Sequence, residues 1–262
     1  MSRNILAARN SEVLRTIAGS GALLAFDFDG TLAPLGTDPD ATRMRDESAE
    51  LLRNLAHAAP VAIVTGRSVR DVAPRLHGIP LRAIIGNHGA EPSPFARRAA
   101  TQVAAWMPQL RSGVAAMRGV EIEDKGQSVS VHYWHSDDPR SVIAALEALA
   151  PTLMHRVRVV HGIGLVNLIP DGAPDKGDAV VSLVQANALP GAMFVGDELT
   201  DEAAFRVTQG PQNLSVRVGK WKDSSAAYHI ATQLDIDALL TELLIGCTRQ
   251  RRRSAVEASA QL

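Results

Sequence analysis

Four apolar runs, each ending in an abrupt polar or glycine-rich tip, constrain this chain more than any other feature of its sequence. Leu23-Leu24-Ala25-Phe26 leads into Asp27-Phe28-Asp29-Gly30, Val61–Val64 into Thr65-Gly66, Arg82–Ile85 into Gly86-Asn87, and Ala192–Val195 into Gly196-Asp197-Glu198. A run that is apolar at consecutive positions, without alternation, suits a strand buried on both faces, the condition of a parallel sheet covered by helices. Helical patterns lie between the runs. Glu47–His57 carries Leu51, Leu52 and Leu55 on one face, and Ser68-x-x-Asp71 opens a second helix with a capping-box-like start and Val69, Val72 and Leu76. Strands alternating with helices imply right-handed crossovers and an α/β, doubly wound, Rossmann-like parallel sheet, whose chemistry gathers beyond the carboxyl ends of its strands. Asp27, Thr65, Asn87 and Asp197 all fall at such ends.

The stretch from about Phe95 to Pro170 follows a different pattern. A helix over Arg97–Met117, a strand in Glu121–Lys125, an alternating strand in Ser128–His135, a helix over Arg140–Leu149, and strands near Val157–Val160 and Leu165–Ile169 follow in order, with a hairpin turn at Lys125-Gly126-Gln127. Helix, two strands, helix, two strands predicts an antiparallel sheet with two helices on one face. The expected organisation is therefore a core of residues 1–95 and 170–262, interrupted by an inserted, smaller α+β domain at 96–169, with a frayed tail from about residue 249.

Charge and cysteine content narrow the partners. A net charge of -1 over 262 residues argues against nucleic acid, because phosphate-backbone binders present a basic face. The basic run Arg249–Arg253 beside an Ala/Ser-containing end fits a solvated terminus better than a binding arm. One cysteine, Cys247, excludes an intramolecular disulfide framework and fits a reducing cytoplasm. No apolar stretch approaches the ~20 residues of a membrane span. The expectation is a cytoplasmic monomer that acts on a small molecule.

Asp27 and Asp29, two positions apart at a strand end, repel each other unless a cation sits between them or one carries a proton. Mg2+, a hard ion that takes oxygen ligands, relieves that repulsion. A lone Asp-x-Asp would be no more than a strand leaving for a turn. Here it is joined by Thr65-Gly66-Arg67 after one strand, Asp175-Lys176-Gly177 before a helix, and Gly196-Asp197-Glu198-Leu199-Thr200-Asp201-Glu202 after another.

From Leu23 to Gly219 these segments resemble the haloacid dehalogenase-like phosphatase superfamily. The resemblance implies Asp27 as nucleophile, Asp29 as general acid and base, Thr65 and Lys176 as phosphate ligands, and Mg2+ held by Asp27, Asp29, Asp197 and Asp201, with Asp201 bracing Lys176 or metal-bound water. These roles fit the chemistry, since a carboxylate nucleophile divides one hard displacement into two easier ones and a nearby acid protonates the departing sugar oxygen. A finer similarity, to the trehalose-6-phosphate phosphatase family, rests on DFDGTLAPL, TGR, GNHGAE, EDKGQSVSVHY, PDKG and GDELTDEAAF. It implies a cap closing over the sugar and adds Gly66, Arg67, Asn87, His88, Gly89, Glu123, Lys125 and Asn167 as substrate-binding positions. For Glu123 and Lys125 the plain alternative is a solvated strand of mixed charge; for His88 a substrate contact and a loop histidine stand about even.

Two positions depart from that family's pattern. Trp134 stands where an arginine usually follows the His-Tyr pair, and Asn167-Leu168-Ile169-Pro170 replaces the usual Glu-x-Arg-Pro run. The reading is a Mg2+-dependent phosphomonoesterase acting on trehalose 6-phosphate through a phosphoaspartyl intermediate. The alternatives are a phosphatase of a related glycosyl or pseudo-disaccharide phosphate, and a phospho-aspartate signalling module that does not turn over, against which the second carboxylate and the cap both count.

Overall fold

The computed structural model of the protein describes residues 2–36, 40–162 and 164–260, with side chains to Arg251. Its core strands are β1 (Arg3–Asn4), β2 (Leu23–Phe26), β3 (Val61–Val64) and β4 (Ala83–Ile85), then, after four strands of the intervening segment, β9 (Ala192–Gly196), β10 (Leu214–Val218) and β11 (Tyr228–Ile230). Among the described residues these core strands form one sheet in the order β1-β11-β10-β9-β2-β3-β4, every pairing parallel. β2 and β3 are buried at every position, as their unbroken apolar runs require.

The chain moves from β2 outward through β3 and β4, then returns to the other side of β2 with β9. The strand order thus reverses between β2 and β9, and a doubly wound sheet opens its crevice at that reversal. Asp27 ends one of these strands and Asp197 the other; the Asp27 amide donates to the Val195 carbonyl at 2.8 Å.

Helices cover both faces. On one side α1 (Ser11–Gly19), α2 (Asp46–Ala58) and α8 (Ile236–Ala260) bring Leu14, Ile17, Leu52, Leu55, Leu240 and Leu243 together over Leu24, Phe26 and Ile63. On the other, α6 (Lys176–Ala186) and α7 (Glu202–Val207) place Val180, Ala204 and Phe205 against Leu23, Ala25 and Phe194. α3 is a single turn, Val69–Val72, capped where the Ser68 hydroxyl accepts from the Asp71 amide. The helical backbone of α8 continues across residue 249, where fraying was expected, to Ala260.

The intervening segment is α4 (Ala96–Val114), β5 (Glu121–Asp124), β6 (Val129–His132), α5 (Pro139–Leu149), β7 (Val157–Gly162) and β8 (Leu165–Pro170). Its strands pair antiparallel in the order β5-β6-β8-β7. Strand alternation sorts the faces: Val129, Val131, Val166 and Leu168 pack on Val103, Trp106 and Leu110 of α4 and Val142 and Leu146 of α5. Ser130, His132, Leu165 and Asn167 therefore take the opposite face, which is turned toward the crevice. No described helix is long and apolar enough to cross a membrane.

Candidate active site

Lys176 organises the floor of the crevice. It occupies the first turn of α6, whose start is fixed by a capping box between Asp175 and Asp178. A lysine there opposes the helix dipole, and its side chain is 1% exposed, so carboxylates must compensate. They do: Asp27 Oδ1 lies 2.9 Å from Nζ, and Asp201 Oδ1 accepts a hydrogen bond at 2.7 Å. Burial discourages the lysine's charge, but Asp201 and Asp27 beside it hold its pKa well above the ordinary lysine range. The other oxygen of Asp201 accepts the amides of Asp197 and Glu198, each at 2.8 Å. Asp201 thereby fixes both the lysine and the loop after β9.

Asp27, Asp197 and Asp201 each present an oxygen, all within 4.8 Å of one another. Burial first, then the neighbouring carboxylates, push Asp27 and Asp197 well above the usual carboxylate range despite Lys176, and Glu198 is raised for the same leading reason. Asp27 Oδ1, though ion-paired with Lys176, makes no aligned hydrogen bond. Buried oxygens of like charge, one still lacking a hydrogen bond, and no nitrogen or sulfur among them suit a hard divalent cation. Thr31 Oγ1 donates to Asp197 Oδ1 at 3.0 Å, and Arg217 donates to the Asp197 carbonyl. Gly30, at φ +74°, lets the turn after Asp29 lie directly on the Asp197 carboxylate, where a Cβ would collide.

Asp29, expected among the metal ligands, is not in that cluster. Its two oxygens are held in a fork by Arg67 Nε and Nη2 at 2.7 and 2.6 Å, while Arg67 Nη1 reaches Asp71 at 2.7 Å. Two short bonds to a guanidinium outcompete a place beside three other carboxylates. Arg67, expected to bind substrate, lines the crevice but directs this fork at Asp29 and Asp71. Thr65 is fully buried, its Oγ1 accepting the Arg67 amide at 3.2 Å.

Asn87, expected to bind substrate, is bonded to partners within the protein. Its side-chain amide donates to Glu91 at 2.9 Å and Gln127 at 2.8 Å, and its carbonyl accepts from Ser128 at 2.7 Å. It fastens the loop after β4 to the hairpin between β5 and β6. Gly89, expected to bind substrate, packs against the Asp175 carbonyl, where a Cβ would collide.

Above the floor, Gly66, Arg67, His88, Glu123, Lys125 and Asn167 line one cleft with Asp27, Asp29 and Lys176. Lys125 Nζ donates to the Gly66 carbonyl at 3.3 Å, linking the antiparallel sheet to the core, and lies 3.7 Å from Glu123. Desolvation works upward on Glu123, but the His132 hydrogen bond at 2.9 Å and Lys125 hold it below the usual glutamate range. Asn167 accepts from Ser130 at 2.6 Å. His88 is 4% exposed, neither ring nitrogen has a hydrogen bond among the described residues, and burial, then Lys125 and Lys176, keep it neutral.

Sequence reasoning missed His132 and Glu198 as lining residues. The signal for His132 was the alternation Ser128, Ser130, His132 on the strand beside Glu123; for Glu198 it was adjacency to Asp197.

A doubly wound sheet with Asp-x-Asp at its reversal, a buried lysine facing the first aspartate, and an inserted antiparallel cap define the architecture of the haloacid dehalogenase-like phosphatases. A match of residues 25–235 to the trehalose-phosphatase family model narrows this further. The chain belongs to the trehalose-phosphatase family. The trehalose-phosphate phosphatase of Mycobacterium tuberculosis (strain ATCC 25618 / H37Rv) is 31% identical over 248 residues, covering 89% of this chain and 63% of that protein. That of Mycolicibacterium paratuberculosis is 32% identical over 209 residues, 74% of this chain and 53% of the relative. The chain thus spans less than two thirds of these relatives' length. In fold it is similar to the C-terminal domain of C. albicans trehalose-6-phosphate phosphatase, with a TM-score of 0.79 at 20% identity over 93% of this chain and 99% of the other. A trehalose-6-phosphate phosphatase related protein superposes with a TM-score of 0.71 at 24% identity, over 87% of this chain and all of that one.

Proposed function

We propose that the protein hydrolyses trehalose 6-phosphate to trehalose and phosphate through a phosphoaspartyl intermediate on Asp27. The observation that carries this reading is the pairing of Asp27 with Lys176 on the floor of a cleft whose opposite wall is the cap's Glu123, Lys125 and Asn167. A carboxylate oxygen of Asp27 bonds to phosphorus as the bond to the sugar oxygen breaks, and Asp29 gives that oxygen its proton. Water then attacks phosphorus, Asp29 takes the water's proton, and the bond to Asp27 breaks to release phosphate. The Arg67 fork holds Asp29 in the wall of the same cleft as Asp27, which makes Arg67 its positioning residue. Lys176 balances charge on the phosphoryl oxygens, and Thr65 shapes the loop beneath them.

Asp27 and Asp197 would hold Mg2+, with Asp201 behind them bracing Lys176 and the loop after β9. When bound, the ion supplies neutralisation of the phosphate's negative charge. The enclosed cap face, with Glu123 and Lys125 presenting charged groups to sugar hydroxyls, supports a sugar phosphate over an unadorned one. Trp134 and Asn167 favour a second reading, a related glycosyl or pseudo-disaccharide phosphate, as the runner-up. Phosphate release with Mg2+ from trehalose 6-phosphate, sucrose 6-phosphate and glucose 6-phosphate tests the proposal: the first should lead in kcat/KM by a wide margin, and equal rates on all three would refute it.

A further inference from the structure

The cleft has an inner and an outer recess. Asp27 and Lys176 line only the inner one; Glu121 and His135 line only the outer; Arg67, Glu123, His132 and Trp134 line both. Trp134 is thus one of four residues that stand between the inner recess, where Asp27 lies, and the outer one.

Trp134 is held in an unusual way for a tryptophan. The residue is 40% exposed although it lines the cleft. A Cβ placed on Gly164 would lie closest to Cδ2, with Cε2 and Cε3 at 2.5 and 2.6 Å. Three contiguous ring atoms at nearly equal distance mean that the face of the indole, and not its edge, rests on Gly164. Gly164 sits at φ +71° in the turn before β8, and its carbonyl accepts the Tyr133 amide at 2.8 Å, a bond that ties the segment carrying Trp134 to the glycine beneath its ring. One face is seated and the other is left to the cleft.

The polar groups around that free face are largely paired already. Glu123 is bonded to His132, and Arg67 to Asp29 and Asp71. A rigid aromatic plane bordered by polar groups already bonded to one another, with the further carboxylate Glu121, disfavours a second anion and suits a neutral, hydroxyl-bearing ring with an apolar face of C–H groups.

We infer that Trp134, seated on Gly164, is a stacking platform for the second, unphosphorylated sugar ring of the substrate, and so sets the preference for a disaccharide phosphate over a monosaccharide phosphate. This rests on the sugar-phosphatase reading of the same cleft but not on the sugar being trehalose.

The test is the ratio of kcat/KM for trehalose 6-phosphate to that for glucose 6-phosphate. In Trp134→Ala it should fall about tenfold, mostly through KM, and in Trp134→Phe it should largely recover, since a smaller ring still stacks. Gly164→Ala, which displaces the indole without removing it, should lower the ratio as Trp134→Ala does. An unchanged ratio in a folded Trp134→Ala protein overturns the platform. Titration with trehalose in the presence of phosphate gives an independent readout: tryptophan emission should shift in the unaltered protein and not in Trp134→Phe, and equal shifts in both would count against it. Should the enzyme prefer another disaccharide phosphate, the trehalose reading fails, while the same ratio taken with that compound still decides the role of Trp134.

Discussion

Replacing Lys176 with methionine keeps the buried stem and removes the charge. In the folded protein its ammonium stands 2.9 Å from Asp27 and 2.7 Å from Asp201, with almost no solvent contact. At an effective dielectric near 20, each contact is worth about 6 kcal/mol of Coulomb energy. Desolvation of the ammonium offsets much of that, but removing one partner leaves two buried carboxylates uncompensated, and such losses run to about 3–5 kcal/mol. Lys176→Met should therefore lose about that much in urea unfolding at pH 7.5 with chelator present. The pH dependence follows from the sign of the shifts. Lys176 is raised in the folded state, so its contribution is fully present below the ordinary lysine pKa and fades only as pH rises through the higher folded value. Asp27 and Asp197 are raised too, so they take up protons more readily folded than unfolded, and the deficit of the variant should shrink as pH falls toward 5. Saturating Mg2+ should stabilise both proteins by binding only their folded states. A deficit below about 1 kcal/mol that does not vary with pH would refute the reasoning, since no buried ion pair of this kind could then be contributing.

Chelation should abolish phosphate release and Mg2+ should restore it, whereas Ca2+, with looser and higher coordination, should restore it poorly; full activity in excess chelator would remove the metal from the account. Asp29→Asn should slow trehalose 6-phosphate hydrolysis by ~10²–10⁴-fold and hydrolysis of an aryl phosphate, whose leaving group needs no proton, far less; equal losses would mean that Asp29 is not the acid. Asn87→Ala should cost about 1–3 kcal/mol in thermal or urea unfolding, because Ser128 and Gln127 lose their partner across the contact between core and cap. Glu123 sits below the ordinary glutamate pKa, so its pairing adds stability above pH 4.5 and loses it as pH falls through the lower folded value; Glu123→Gln should flatten that stretch of the stability curve.

The parallel sheet was legible because short apolar runs such as Leu23–Phe26 alternate with helical patterns and suit strands buried on both faces, and the cap because Val129, Val131, Val166 and Leu168 alternate cleanly. Local signals also placed Asp27, Thr65, Asn87 and Asp197 beyond strand ends. What they lacked was direction. Asp29 and Asn87 occupy the expected positions, but each is turned by a partner distant in sequence, Arg67 in one case and the 125–128 hairpin in the other. The pairing of Glu123 with His132 depends on the register of β5 against β6, which no single stretch encodes. Trp134 was visible as a departure from the family's pattern; its seat on Gly164, thirty residues further along the chain, needed the fold.

Acid quenching of the enzyme during turnover of trehalose 6-phosphate, followed by peptide mass spectrometry, tests the central claim most directly. The account predicts a phosphoryl group on the peptide containing Asp27, on Asp27 itself, with both the adduct and phosphate release lost in Asp27→Asn. Phosphate release that continues in Asp27→Asn, or an adduct found on another residue, would contradict it.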